Sequence, residues 1–255
     1  MFWEPIIKIM MSYWGGLTSL GLYEMANKLI LQTRSLIVES ARIVVPVTAK
    51  NNTIEQDRNI HFSFVQNTMN ITSFSLFYIF SLIAISLPLI SIFWLSSLNF
   101  TFIYIAFILL VGWFFSSFNA PIFLINLGTG HVRQNLYTYI IMATTSIIFG
   151  NMLGYFFMDI GVTVGVALSL MFSALYIGHW YKNNIFDPGF LRLLNIYKFL
   201  IILTPIFSII SIYSVIHLDI ISSLIVILLL IGALSIFCYK IFQKLNLMSL
   251  ALKNL

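Results

Sequence analysis

The residues whose types could do chemistry crowd into one stretch. Between Gly21 and Pro46 stand Glu24, Lys28, Arg34, Glu39 and Arg42, with Tyr23, Asn27, Gln32 and Ser35 among them. At 100° per residue, Glu24, Lys28, Ser35, Glu39 and Arg42 fall in one narrow stripe, flanked by Asn27, Gln32 and Arg34, while Leu22, Leu29, Leu36 and Ile43 occupy the opposite face. Glu24 and Lys28 stand at i,i+4 and Glu39 and Arg42 at i,i+3, spacings that bring opposite charges together on a helix. A charge inside a bilayer costs about 3 kcal/mol or more unless it is paired or faces water, so such residues mark function by default. The expectation is a helix lining a cavity, with Lys28 and Arg34 first and Arg42 third as contacts for an anionic ligand. Asn27 and Gln32 stand beside them. Arg42 ranks last because a cation near a helix end can snorkel to the interface. Glu24 and Glu39 would tune these cations or carry a coupling proton or sodium ion. Two rival readings are an amphipathic helix lying in the membrane surface and charges that only pair with one another.

Other chemistry is thin. There is no HExxH, GxSxG or P-loop pattern. His61, His131, His179 and His217 stand apart from any second ligand at metal spacing, and Cys238 is the only cysteine. The remaining acids, Glu4, Glu55, Asp57, Asp159, Asp187 and Asp219, are scattered over connections without a paired acid and base. The expectation is therefore no enzyme, no metal and no cofactor. Asn119 and Pro121 interrupt an otherwise apolar segment, as a gating kink or a packing kink would. Gly150, Gly154, Gly161 and Gly165 give small-xxx-small spacings that most often mean close helix packing.

The elements that must position these residues are set by composition. Of 255 residues, 60% are hydrophobic and 8% charged, with a mean hydropathy of +0.99. A soluble chain needs far more polar surface, so the apolar solvent is lipid. Each long apolar block reads as a helix, because backbone groups in hydrocarbon must be satisfied within their own segment. The chain reads as an all-α, polytopic bundle of about seven transmembrane helices: 16–48, 73–95, 101–127, 136–155, 161–181, 193–216 and 220–242. Residues 1–15 read as a loop-like N-terminus on the periplasmic side. Residues 16–182 form a main bundle of about five helices, 183–192 a cytoplasmic loop, 193–242 two additional helices and 243–255 a cytoplasmic tail. Basic residues (Lys50, Arg58, Arg133, Lys182, Arg192, Lys240, Lys244, Lys253) fall on alternate connections and the tail. The positive-inside rule then puts the N-terminus outside and the C-terminus in the cytoplasm. The net charge of +5 belongs to this asymmetry, not to a nucleic-acid partner.

One stretch carries a family likeness. Residues 15–49, GGLTSLGLYEMANKLILQTRSLIVESARIVVPVTA, contain Gly16, Leu20-Gly21, Tyr23-Glu24, Ala26 and Val44-Val45-Pro46. Further on come Asn119-Ala-Pro-Ile-Phe with Gly128-Thr-Gly130, then Gly154, Gly161-Val-Thr-Val-Gly165 and His179-Trp-Tyr-Lys182. In order and spacing these resemble the second lobe of Wzx-type polysaccharide flippases, the O-antigen and capsule repeat-unit exporters of the multidrug/oligosaccharidyl-lipid/polysaccharide exporter superfamily. The resemblance implies half of a two-lobed transporter fold, matching its helices eight to fourteen, with the first lobe missing or carried by a partner half. It implies a multi-pass protein of the bacterial inner membrane whose partner is a lipid-linked oligosaccharide. That substrate is an undecaprenyl-diphosphate-linked repeat unit, flipped between leaflets by alternating access. The alternatives are a multidrug or other small-molecule exporter of the same superfamily, and a membrane glycan polymerase or ligase.

Overall fold

In the computed structural model, backbone is described for residues 3–43, 45–46, 58–184 and 190–253, and side chains for most of these outside 58–65, 184, 190–200 and 244–253. Among the described residues the chain is helical, with no strand. The helices are α1 (Trp3–Ser40), followed by a 3-10 turn (Ala41–Ile43), α2 (Arg58–Leu95), α3 (Phe100–Phe118), α4 (Ala120–Gly128), α5 (Val132–Asn184), α6 (Phe190–His217) and α7 (Ile220–Lys253). Among the described residues four stretches are long and apolar enough to cross a membrane: Gln66–Leu95, Phe100–Gly128, Val132–Asn183 and Ile220–Ile241.

Two of the helices are folded back on themselves. In α1 the break is Gly16, whose φ of 79° lies in the left-handed region that glycine enters without a Cβ penalty. Lys8 and Glu24, equidistant from that break, form an ion pair at 3.0 Å across the two arms. In α5 the break is Met158, at φ 51° and ψ −128°. Here the arms touch at their glycines. A Cβ on Gly165 would stand 2.5 Å from the Gly150 nitrogen, and one on Gly161 would stand 2.0 Å from the Leu153 carbonyl oxygen. Small residues thus let two backbones meet where any side chain would part them. The two reversals also abut. A Cβ on Gly15 would come within 2.6 Å of Asp159 Cβ, and the Ser19 hydroxyl donates to Asp159 Oδ2 at 2.7 Å.

These features correct several expectations. Residues 3–15 are not a loop but the first arm of α1. Trp3, Ile7, Met10 and Met11 are buried at i, i+4, i+7 and i+8, a helical stripe. Glu4, Pro5 and Lys8 hid that stripe from hydropathy, although proline in a first turn removes no helical hydrogen bond. The charged α-helix runs to Ser40 and tightens into the 3-10 turn; residues 45–46 are helical again, and the expected end at residue 48 lies outside the described residues. The second helix begins at Arg58, well before residue 73, and the last runs to Lys253, through most of the expected tail. Pro88 and Pro205 lie inside α2 and α6 without ending them. Most of the expected loop carrying Lys50, Glu55 and Asp57, and part of the 183–192 loop, lie outside the described residues.

The chain divides into two compact units, Met1–Leu76 with Phe100–Pro188, and Phe77–Asn99 with Gly189–Leu255. In the first, α1 packs on α3 and α5, and α3 packs on α5. Gly112 seats against Ala167 so closely that an added Cβ would reach its Cα at 2.7 Å. In the second, serines join the helices. Ser211 donates to the Ile85 carbonyl at 2.7 Å, Ser223 to the Ser214 carbonyl at 3.0 Å, and the Tyr78 and Ser235 hydroxyls meet at 3.0 Å.

The glycine contacts carry a test. Gly165→Ala pushes a methyl into backbone and is expected to cost about 1–3 kcal/mol, the range for overpacking. Gly21→Ala meets nothing within 4 Å and is expected to be neutral or stabilising by about 0.5–1 kcal/mol. Thermal unfolding of the two purified variants in detergent checks both signs.

Candidate functional site

The arm Trp3–Gly15 runs beside only the first half of the longer arm of α1. A cavity of about 700 Å³ lies beside the second half, inside the first unit. Leu31, Arg34 and Val38 of α1, Trp113 and Ser116 of α3, Asn119 and Phe123 at the start of α4, and Tyr139, Met142, Ser173 and Ile177 from both arms of α5 wall it. Trp3 and Glu4 line it from the short arm of α1, Ser35 and Glu39 from the long arm, and Arg42 from the 3-10 turn. From the helical rise of about 1.5 Å per residue, Arg34 stands roughly 27 Å along the arm from Gly16. The cavity therefore lies in the half of the unit remote from the two reversals.

Arg34 is the centre of the site. Its Nε donates to the Ser117 hydroxyl at 2.8 Å, and its guanidinium carbon lies 5.0 Å from the centroid of the Trp113 ring. Trp113 is fixed in turn. Its indole N–H donates to Asn27 Oδ1 at 3.0 Å, and Trp3 packs edge-on against it with centroids 6.0 Å apart at 88°. No carboxylate among the described residues lies within 4.0 Å of Arg34. A planar fork held at Nε by a neutral hydroxyl and flanked by an aromatic ring leaves its two terminal nitrogens to meet an anionic oxygen pair. The other walls are mainly aromatic and aliphatic, which strengthens any charge contact made there.

The structure separates what the stripe had grouped. Arg34 and Arg42 both line the cavity, whereas Lys28 and Gln32 are exposed and do not. Asn27 acts through Trp113, as the acceptor that orients it. Glu24 pairs with Lys8 across the reversal, not with Lys28 one turn on, because the fold-back brings a second helix alongside. Glu39 and Arg42 pair as their spacing predicted, at 2.9 Å and half exposed. Among the described residues no cluster of His, Cys, Asp and Glu could hold a metal ion.

The interruption at Asn119 and Pro121 is a full helix restart. α3 ends at Phe118 and α4 begins at Ala120, with Pro121 in its first turn, where the missing N–H costs nothing. The Asn119 amide donates to the Ala174 carbonyl at 3.0 Å, tying the break to the far wall of the cavity. A second asparagine pair fixes α4 lower down. Asn126 donates to Asn135 Oδ1 at 3.1 Å, and Asn135 donates to the Phe123 carbonyl at 2.9 Å. Trp3, Trp113, Ser117, Tyr139 and Asn135 were not among the expected site residues. An aromatic or serine within an apolar helix has the same pattern whether it faces a core, lipid or a cavity, so the sequence carried no signal for them.

Comparison with protein-family models, with curated proteins and with solved structures finds no match. The functional reading rests on the residues and their geometry.

Asn135→Ala removes the two hydrogen bonds that Asn135 makes with α4. At about 0.6 kcal/mol per interhelical bond in a membrane protein, the expected loss is about 1 kcal/mol. A lowered unfolding temperature in detergent, together with faster tryptic cleavage after Arg133, is the expected outcome.

Proposed function

We propose that this chain is the second lobe of a flippase for lipid-linked oligosaccharides, crossing the bacterial inner membrane about seven times. Arg34 binds the acidic phosphate of the carrier lipid within the cavity. The observation that carries the reading is a guanidinium on a helix-walled, mostly apolar cavity that makes no ion pair, the lining carboxylates Glu4 and Glu39 both standing more than 4.0 Å from it. A partly buried charge without an ion-pair partner is costly, so such an arrangement favours an anionic ligand over a purely structural role. The crossings are the long arm of α1, α2, α3 with α4, the two arms of α5, α6 and α7. Arg42, Arg133 and Lys182 fall at the cavity end of the first unit, opposite the reversals. By the positive-inside rule that end faces the cytoplasm, where lipid-linked repeat units are assembled and would be loaded. Glu39 beside Arg42 sets the charge at the cavity's edge. The exposed polar stripe of Glu24, Lys28 and Gln32 faces the opposing lobe across a wet cleft, since lipid would penalise it.

The aromatic walls of Trp3, Trp113, Phe123 and Tyr139 also favour a second reading, export of small amphipathic anions by the same cavity. In a cell that depends on this chain for surface glycan, Arg34→Ala is expected to abolish surface glycan with normal membrane expression. Arg34→Lys is expected to restore it only in part, because an ammonium keeps the charge but not the bidentate fork. Lys28→Ala is expected to have the smaller effect. Full surface glycan in Arg34→Ala would overturn the assignment. Loss of resistance to an amphipathic anion with intact glycan would favour the exporter.

A further inference from the structure

The end of the first unit formed by the two chain reversals is an aromatic wedge. Tyr13, Tyr155 and Phe157 are each about two-thirds exposed or more, and Met158 and Leu17 are exposed with them. The rings run in edge-to-face contact from Tyr13 to Trp14 to Tyr155 to Phe156. The Trp14 indole N–H donates to Asn151 at 3.3 Å, bridging one reversal to the other. The only ionisable group with a formal charge here is Asp159. Its carboxylate is occupied, accepting from Ser19 and from the Ile160 N–H at 2.9 Å.

The backbone at the tip adds a separate observation. Met158 holds φ 51°, ψ −128°, the geometry at which a type II′ turn calls for glycine. A side chain in such a conformation costs on the order of 1–3 kcal/mol, and such strain concentrates where the residue has a task. What methionine offers over glycine at this point is an apolar side chain pushed outward.

Distance along the arms supplies the third observation. Arg42 from Gly16, Arg133 from Met158 and Lys182 from Met158 each lie roughly 36–39 Å away at the helical rise. That span matches a hydrocarbon core of about 30 Å with an interfacial layer on either side. The wedge is also continuous with the exposed apolar flanks of the same arms at Ile9, Ile148 and Met152.

We propose that the paired reversals are a lipid-binding surface, seated in the headgroup region of the leaflet opposite the basic end. Tyrosine and tryptophan partition to this layer because an apolar ring and a polar tip are both satisfied there. With no lysine or arginine at the tip, the surface binds neutral, zwitterionic phospholipid and needs no anionic headgroup. The surface fixes how deep the first unit sits, and with it the depth of the cavity. It rests on the chain spanning a membrane and not on what the chain transports.

The test is a depth measurement on the full chain. In a Cys238→Ser background, Phe157→Cys carries a nitroxide spin label, with Tyr155→Cys as a second site should the first fold poorly. The protein is reconstituted in phosphatidylcholine vesicles, and label accessibility is read against oxygen and a water-soluble nickel chelate. The expected result is a label several-fold more accessible to oxygen than to the chelate, unchanged when one-third of the lipid is phosphatidylglycerol. Accessibility to the chelate equal to that of a label in bulk water would overturn the proposal, placing the wedge in water. Shielding from both reagents would overturn it as well, by showing that protein covers the wedge.

Discussion

Close approach of backbone to backbone is the constraint on which the first unit depends. α5 can fold back at Met158 only because Gly150 faces Gly165 and Leu153 faces Gly161 with nothing between them. α1 reverses at Gly16 and meets α5 through Gly15, where no side chain would fit against Asp159. Without a hydrophobic difference between lipid and helix surface, such contacts and the few interhelical hydrogen bonds must supply the association. The position of each polar residue follows from these reversals. They place Lys8 beside Glu24, Trp3 beside Trp113, and the second half of α1 against a space that α3 and α5 do not fill.

That space gives Arg34 its distinct character. A guanidinium in apolar surroundings is usually matched by a carboxylate. Here the nearest partners are a serine hydroxyl and an indole face, both neutral. Of the carboxylates of the same helix, Glu24 pairs with Lys8 and Glu39 with Arg42, while Glu4 lines the cavity beyond ion-pair distance of Arg34. The geometry thus leaves Arg34 without an ion-pair partner although three carboxylates stand on its own helix. The break at Asn119 sits on the same cavity. Asn119 at the head of α4 bonds one arm of α5, and Asn126 and Phe123 of α4 bond Asn135 on the other, so a mainly apolar wall is pinned in place by asparagine amides.

The helices were largely legible in the sequence, since apolar runs of bilayer length leave the backbone few other options. The separate arms of α5, the interruption at Asn119 and the Glu39–Arg42 pair follow from local spacing and are found as read. Residues 3–15 were misread because local polarity from Glu4 and Lys8 masked a buried stripe whose partner lies beyond Gly16. The site was legible only in part. The stripe located the charged helix and named Arg34, but it ranked Lys28 equally, and spacing on one helix cannot tell which side another helix will cover.

The sequence by itself determined that the chain is helical, that its apolar segments are long enough for a membrane, and where its charge is concentrated. These are properties of composition and of contacts within a turn or two. The tertiary structure decided which carboxylate meets which cation, which of the cations enters the cavity, and which aromatics surround it. Those outcomes depend on two reversals that bring residues far apart in the chain side by side. Trp14 meets Asn151, Ser19 meets Asp159, and Arg34 meets Ser117, pairs that no periodicity along a single helix can encode.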